Sequence, residues 1–594
     1  MLRIIIAACI MPFVLIAQQT QLEEVVVASP RIELPFKESS RTLTVITAQE
    51  ITESSASTLV DVLRFQAGID LRSRGIQDTQ SDIYIRGGGF DQVLLLIDGI
   101  KVDDPQTGHH TLNAILPLAM VERIEIVKGA AARIFGQNAF TGAINIITKK
   151  KAEKGLQTHL SRGAFDYLKA AAQLTTDGEK SHHALYAESI ESSGYRYNTD
   201  FYNQNYVWHA TWNKTRLPVN MIASFANRHF GANGFYASPS FTDQYEATQS
   251  SLLGFSTHLV FENWVIKPRM YWKRGQDEFI LFRNDPSIYR NLHITNRVGT
   301  ELHATFTNPL GVTGFGVEAA SVAIQSNNLG QRDRTILHGY LEHRFVSGSF
   351  DITPGFALSH YTDQDTFFYP GIDLGWQLSS GVRLYANSGY TFRIPTYTDL
   401  FYSDPTTMGN PNLDPEKALT TELGIRLPGE AFRLQVALFH RDNQDYIDYV
   451  KFEDDGLWHA TNIDRIETIG GELEMELTYG QNHKIHLSYA YLEDDVNGVS
   501  ASISRYAINS LKHHLNLGLT HQWSKALRSS VSYRYAERET GSHYTLVNAS
   551  LSYDTDDYSF RLIGNNIFNE VYSEQNLVPM PKGHALLEFT YRFY

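Results

Sequence analysis

The sequence predicts an all-β membrane protein: an antiparallel transmembrane β-barrel of about 22 strands, preceded by a small α/β domain. Three observations carry this. The chain has 594 residues, 42% hydrophobic, yet no internal stretch is apolar for the length a spanning helix needs. Beyond Lys150 the pattern is one of strict alternation, the form in which lipid-facing and lumen-facing positions evade a hydropathy search. Aromatic residues make up 12% of the chain, with 32 Tyr and 32 Phe, which suits a girdle at each membrane interface.

The alternation is explicit. Phe432, Leu434, Val436 and Leu438 alternate with Arg433, Gln435, Ala437 and Phe439. Leu473, Met475, Leu477 and Tyr479 alternate with Glu472, Glu474, Glu476 and Thr478. Ile485, Leu487, Tyr489 and Tyr491 alternate with His486, Ser488, Ala490 and Leu492. The chain ends on Leu587, Phe589, Tyr591 and Phe593 against Glu588, Thr590 and Arg592, with Tyr594 following. Three glutamates on one strand face are hard to bury in a sandwich core and easy to place against a hydrated lumen. The 444 residues beyond Lys150, at roughly 20 residues per strand with its turn, give the strand count. That size class is the plugged barrel.

The N-terminus reads as a signal peptide, residues 1–17, with Arg3 ahead of the short apolar run Ile4–Ala17. The only cysteine, Cys9, falls within it, so a mature chain has no disulfide, thiol nucleophile or cysteine metal site. Residues 18–40 form a leader that includes Glu23, Glu24, Val25, Val26, Val27 and Ala28, with Pro30 and Pro35 breaking the backbone after it. An exposed extended segment of this kind can add to another protein's sheet edge. Residues 41–150 read as the α/β domain. Thr42–Thr47, Ile83–Ile85, Val93–Ile97 and Ile124–Val127 are short strands, and Ser57–Phe65 has helical spacing. Gly87-Gly88-Gly89, Asp98-Gly99 and Gly129 permit tight turns between them. Residues 151–594 are the barrel.

Several motifs, in order, carry a resemblance. The stretch Ser81–Thr148 holds SDIYIRGGGF, LLLIDGIKVDD and VERIEIVKGAAARIFGQNAFTGAINIIT. Tyr390–Pro395 (YTFRIP) is followed by Asp399-Leu400-Phe401-Tyr402, Gly409-Asn410-Pro411-Asn412-Leu413, Pro415-Glu416 and Glu422-Leu423-Gly424. Gly470-Gly471-Glu472-Leu473-Glu474 and Asn565-Asn566-Ile567-Phe568-Asn569, with Tyr572 and Pro579-Met580-Pro581, come later. Together these resemble the TonB-dependent outer-membrane receptors over nearly the whole mature chain. The resemblance implies that the α/β domain is a plug inside the lumen of a monomeric barrel in the outer membrane of a Gram-negative bacterium. It implies that Glu23–Ala28 is the TonB box, gripped by TonB of the inner-membrane TonB-ExbB-ExbD complex. The terminal aromatic strand looks like the signal read by the outer-membrane assembly machinery.

Position by position, the family's basic plug residues and two barrel glutamates fall on Arg86 and Lys128, with Glu422 and Glu472. Lys128 departs from the usual arginine and loses bidentate carboxylate geometry. The family would contact its nutrient through the plug's outward loops, which points first to Gln77, Asp78, Phe90, Gln106, His109 and His110. His109-His110 near Asp103-Asp104 has the residue types of a metal site, but neighbours in one irregular loop rarely converge on an ion without a third placed ligand, so no metal site is expected there.

The cargo is narrowed less. Haem receptors of the family carry FR-x-P and NPNL motifs with a histidine between them. Here Phe392-Arg393-Ile394-Pro395 and Asn410-Pro411-Asn412-Leu413 have no histidine between. The short barrel and the Phe279–His293 segment resemble the cobalamin receptor subgroup, with a ferric-siderophore receptor as the alternative. Acidic loops such as Asp363–Asp365 are the candidate calcium ligands that this subgroup implies, and no covalent cofactor is expected. The net charge of −14 argues against a nucleic-acid partner. A secreted soluble β-rich binding protein is the reading from another class. A barrel enzyme would need a nucleophile or zinc motif, and neither GxSxG nor HExxH occurs. A glycan or peptide importer of the same fold would bring a surface lipoprotein partner.

Overall fold

The computed structural model describes residues 26–27, 32, 34–76, 79–114, 116–150, 153–213, 217–236, 239–379, 381–429, 431–452, 456–480, 482–497, 503–506, 509–575 and 577–594. Among the described residues, 22 long strands hydrogen-bond in sequence order into one closed antiparallel barrel, with three two-residue strands added at its rims. The strand Gly155–Gly163 pairs with the last one, His584–Phe593, and shuts the sheet. Closure leaves no open edge, which a sheet in hydrocarbon requires.

The alternation resolves into two faces. On Phe432–Lys451, Leu438 is 62% exposed to the outside while its neighbours Ala437 and Phe439, at 1% and 6%, face the lumen. On Trp458–Tyr479, Ile469 points outward and Glu472 inward. Aromatic side chains collect outside at both ends, as the composition predicts. Trp264, Phe350, Trp376, Trp523 and Phe593 lie beside the short turns, with Phe350 stacked on Trp376 at 5.0 Å. Tyr202, Phe368 and Tyr390 lie near the long-loop end. The longest connections, 394–415 and 566–583, are at that same end, opposite the chain terminus.

The N-terminal domain sits inside the barrel. Its five-stranded sheet runs in the order Leu43–Thr47, Val121–Lys128, Gly142–Thr148, Val93–Ile97, Ile100–Lys101, with one parallel pair. A separate hairpin pairs Ile69–Ser73 with Ser81–Ile85. The helical spacing at Ser57–Phe65 becomes the helix Leu59–Arg64. Thr58 caps it by accepting from the Asp61 N–H, and Leu59, Val60, Val62 and Leu63 are buried. Strands Ile69–Ser73 and Gly142–Thr148 had no sequence prediction; both are buried along their whole length, and the alternation of the first spans only five residues, too short to stand out. Val93–Ile97 is likewise buried throughout, and its core merges with inward-facing wall residues such as Ala184, Tyr186, Val207 and Ile222.

Of the leader, only Val26 and Val27 of the segment Glu23–Ala28 are described; they pair antiparallel with Leu34–Pro35. Glu23, Glu24, Val25, Ala28 and the signal-peptide stretch lie outside the described residues.

Candidate functional site

The domain is fixed to the barrel wall by buried ion pairs, and the four residues singled out as a latch come together in one of them. Arg86 ends the strand Ser81–Ile85 in the left-handed backbone region (φ 50°), followed by Gly87 (φ 71°). This turn carries its side chain out of the sheet toward the wall. Its Nε and Nη2 each donate to Glu472 at 3.0 Å, and Nη1 donates to Glu422 at 2.6 Å. The guanidinium also lies 4.2 Å from the Phe439 ring centroid. Burial alone would lower the Arg86 pKa; Glu472 and Glu422 outweigh it and raise it, so the guanidinium is held charged. Glu422 accepts as well from the Thr42 N–H and the Asn387 side chain.

Lys128 reaches Glu472 from the end of the strand Val121–Lys128, in the other sheet of the plug. Its ammonium donates to the Ala67 carbonyl at 2.7 Å, Glu474 at 2.8 Å and Glu472 at 3.3 Å. Three acceptors around one ammonium match its three donors, so lysine is fully satisfied at this position. Glu474 joins the cluster without having been singled out; its place in the alternation, two residues from Glu472, was the available signal. Gly68 (φ +67°) leaves room for the Glu472 carboxylate, since a Cβ there would lie 1.9 Å from Oε1.

The mid-barrel motifs form a second anchor. Arg393 of YTFRIP donates from Nε and Nη2 to Glu416 at 2.9 Å each, and Nη1 reaches Asp399 at 3.3 Å. Glu416 accepts from Gln92 of the plug and from the Ile447 N–H. Asp91 beside it accepts from the Gly108 N–H, and burial, opposed by Arg393 at 3.8 Å, pushes its carboxyl up to about 7. Around the rest of the wall, Arg41 and Arg133 hold Asp373, Arg297 holds Asp103, and Arg538 holds Asp70. None of these pairings was read from the sequence, where only Asp103 was named and in another role, because each joins positions far apart in the chain.

The loop residues expected to meet cargo sit in the seam between plug and wall. Gln77 and Asp78 lie outside the described residues. Phe90 is buried, with its ring stacked on His109 at 4.0 Å and the Tyr506 ring edge-on at 5.1 Å. His109 Nδ1 lies 2.8 Å from Asp82, whose carboxyl is brought down to about 2 by Arg74 and His109 against the opposing effect of burial. Gln106 donates to Asp277 at 3.0 Å, and His110 Nε2 lies 3.3 Å from the same carboxylate. Barrel strands and loops cover Phe90, Gln106 and His110, His109 is half-buried, and their polar groups are engaged internally. The acidic loop is also engaged, since Arg334 Nε holds both oxygens of Asp363 at 2.7 and 2.9 Å.

A closed 22-stranded barrel with an α/β domain ion-paired inside it defines a plugged outer-membrane transporter. The sequence agrees over most of its length. Residues 154–567 match the model for "TonB dependent receptor-like, beta-barrel" and residues 35–143 match "TonB-dependent Receptor Plug Domain". The chain belongs to the TonB-dependent receptor family, whose members are outer-membrane proteins that interact with TonB. Among curated relatives it is 24% identical to the vitamin B12 transporter BtuB of Photobacterium profundum, over 98% of each chain. It is 24% identical to that of Vibrio vulnificus (strain CMCP6), over 97% of this chain and 96% of the other. Among solved structures it is similar to the siderophore receptor PirA from Acinetobacter baumannii, with a TM-score of 0.77, 15% identity and coverage of 93% and 98%. It is similar as well to the copper transporter OprC, with a TM-score of 0.78, 15% identity and coverage of 94% and 98%.

Proposed function

We propose that this receptor imports cobalamin or a related corrinoid across the outer membrane, driven by TonB of the TonB-ExbB-ExbD complex. The observation that supports this cargo is the match to vitamin B12 transporters from end to end, plug and barrel together. The solved siderophore receptors share the fold at much lower identity, which keeps a ferric siderophore as the second reading.

In this reading TonB pairs with Glu23–Ala28 and pulls. The Arg86–Glu422–Glu472–Lys128 cluster keeps the plug in register until force arrives. Ion pairs of this kind fix geometry more than they add net stability, because desolvating the charges costs much of what the pairing returns. Cargo at the outer mouth would act on the seam at Phe90, Gln106, His109 and His110, exchanging their internal contacts for contacts to itself.

The test is growth of a strain lacking its own cobalamin receptor, on limiting cobalamin, with this chain supplied. Rescue is expected, together with saturable cobalamin binding by the purified receptor in calorimetry. Rescue under iron limitation only, with binding of a ferric chelate, would move the siderophore reading ahead. Deleting Glu23–Ala28 is expected to abolish uptake and leave binding intact; uptake that survives would show that the coupling segment lies elsewhere.

A further inference from the structure

The seam between the plug loop and the outer half of the wall joins His110, one of the cargo-facing loop residues, to two wall side chains, Glu246 and Asp277, that the transport cycle described above does not use. His110 sits in the loop Gly108–Ala114, Glu246 at the outer end of strand Tyr245–Thr257, and Asp277 near the outer end of strand Trp264–Ile280. All three are more than nine-tenths buried, and one ligand atom from each lies within 4.8 Å of the others. The sequence offered only His109-His110 in one loop. The fold adds two carboxylates from the wall, 136 and 167 positions further along the chain.

The polar groups here are only partly satisfied by one another: His110 Nε2 meets Asp277 Oδ2 at 3.3 Å, and its Nδ1 lies 3.0 Å from the Asn113 amide nitrogen. Tyr236 donates to Glu246 Oε2, and Gln106 donates to Asp277 Oδ2. Glu246 Oε1 and Asp277 Oδ1 are buried and accept no hydrogen bond among the described residues. His293 pairs directly opposite Asp277 on the next strand, and its Nδ1 is buried with no hydrogen-bond partner among them. The cations nearby are committed elsewhere. Arg74 pairs with Asp82 at 2.9 Å, Lys273 with Asp104 at 3.1 Å, and Arg297 with Asp103 at 2.8 Å. Two buried carboxylates facing a single imidazole are costly to keep without a further positive charge.

We propose that His110, Glu246 and Asp277 form a site for a divalent transition cation of the zinc type, which ties the plug's outer loop to the barrel wall. One imidazole nitrogen and two carboxylate oxygens are a common donor set for such an ion, with a fourth position left for water or His293. The scale fits. Bonds of about 2 Å in a tetrahedron put neighbouring donors about 3.3 Å apart, and His110 Nε2 lies 3.3 Å from Asp277 Oδ2. A lone histidine and an oxygen-rich set disfavour a copper(I) site, which wants thiolate or thioether ligands. With one ligand on the plug and two on the wall, the bound ion would have to be released or re-ligated whenever the loop moves.

The test uses the full chain in detergent, stripped with a chelator and titrated with Zn2+ alone by calorimetry. The exposed His483–His521 pair, with Nδ1 atoms 3.1 Å apart, offers an adventitious second site, so every titration is repeated in a His521→Ala background. In that background one equivalent of Zn2+ is expected to bind, with affinity falling at least tenfold in both Glu246→Gln and Asp277→Asn. Affinity unchanged in the two variants, or no binding in the parent, would overturn the site. Hydrogen exchange in the parent chain gives a readout independent of how the variants fold. The amides of Gly108–Asn113 are expected to exchange more slowly with Zn2+ than with chelator, and identical exchange would overturn the clamp.

Discussion

Two plug–barrel contacts, each setting nitrogen-bearing plug side chains against wall carboxylates, are wired in opposite ways. At the inner cluster, Arg86 and Lys128, with Thr42, Thr44 and Asn387, direct their donors to Glu422, Glu472 and Glu474, so every carboxylate oxygen there accepts a hydrogen bond. At the outer seam, Glu246 and Asp277 face each other across His110 with two carboxylate oxygens left over. The first arrangement is complete and specifies a register. The second is incomplete and specifies a place for positive charge. Burying a charge is tolerable only when it is paired and hydrogen-bonded, so an unfinished buried set points to binding where a finished one points to structure.

The largest effect should come from breaking the finished side. Arg86→Ala strands two buried glutamates, and removing one partner of a buried ion pair costs about 3–5 kcal/mol. The expected readout is earlier release of the plug in denaturant and greater permeability of cells to bulky antibiotics. Gly68→Ala tests the same cluster from the other direction. A Cβ would meet Glu472 Oε1 at 1.9 Å in a left-handed backbone, and a loss of about 1–3 kcal/mol is expected in the same denaturation assay.

Asp91 gives a pH handle on the second anchor. Its carboxyl titrates at about 7, above the ordinary 3.8. The folded state therefore holds this proton more tightly than the unfolded chain does. Its ionised form is a cost at pH 8 that is relieved progressively as pH falls through 7 toward 4. Asp91→Asn should raise stability at pH 8 by on the order of 1–2 kcal/mol and change it little at pH 4, read from melting curves at the two pH values. The smallest effect is expected at the unfinished seam. Glu246→Gln in chelator replaces a buried carboxyl, one of whose oxygens has only the Tyr236 hydroxyl while the other has no partner among the described residues, and stability should stay within about 1 kcal/mol or rise. A loss as large as that of Arg86→Ala would erase the distinction between the two contacts.

The sequence carried most of the fold, and the reasons are local. Strict alternation on Phe432–Phe439 and Leu473–Tyr479 is a period-2 signal that survives without any knowledge of partners. The glycines at 87–89 and 129 mark turns of the plug chain, and Arg86 and Lys128 beside them were readable as contacts only through the family resemblance that those motifs carry. The role of Lys128 was less so. Its three acceptors include a carbonyl at Ala67, and no sequence pattern announces a backbone acceptor 61 positions away. The seam was hidden for a different reason. Whether Phe90 or Gln106 is open depends on Tyr506 and Asp277, contributed by distant parts of the barrel, and exposure is a property of the assembled pair.

The seam between Gly155–Gly163 and His584–Phe593 joins the first and last strands of the wall. More than four hundred residues separate Leu156 from Phe593, so this is among the most distant pairings the chain makes, and loop-closure entropy delays it behind the hairpins between consecutive strands. Until the final strand arrives, the sheet is an open sheet with two unsatisfied edges. The plug precedes every strand of the wall in the chain, so it is available while those edges are still open. Asp373, Glu422, Glu472 and Glu574 contact the plug from separate places around the wall. In an unfinished wall those carboxylates would grip the plug as a mandrel, setting the curvature to which the sheet bends before it is sealed.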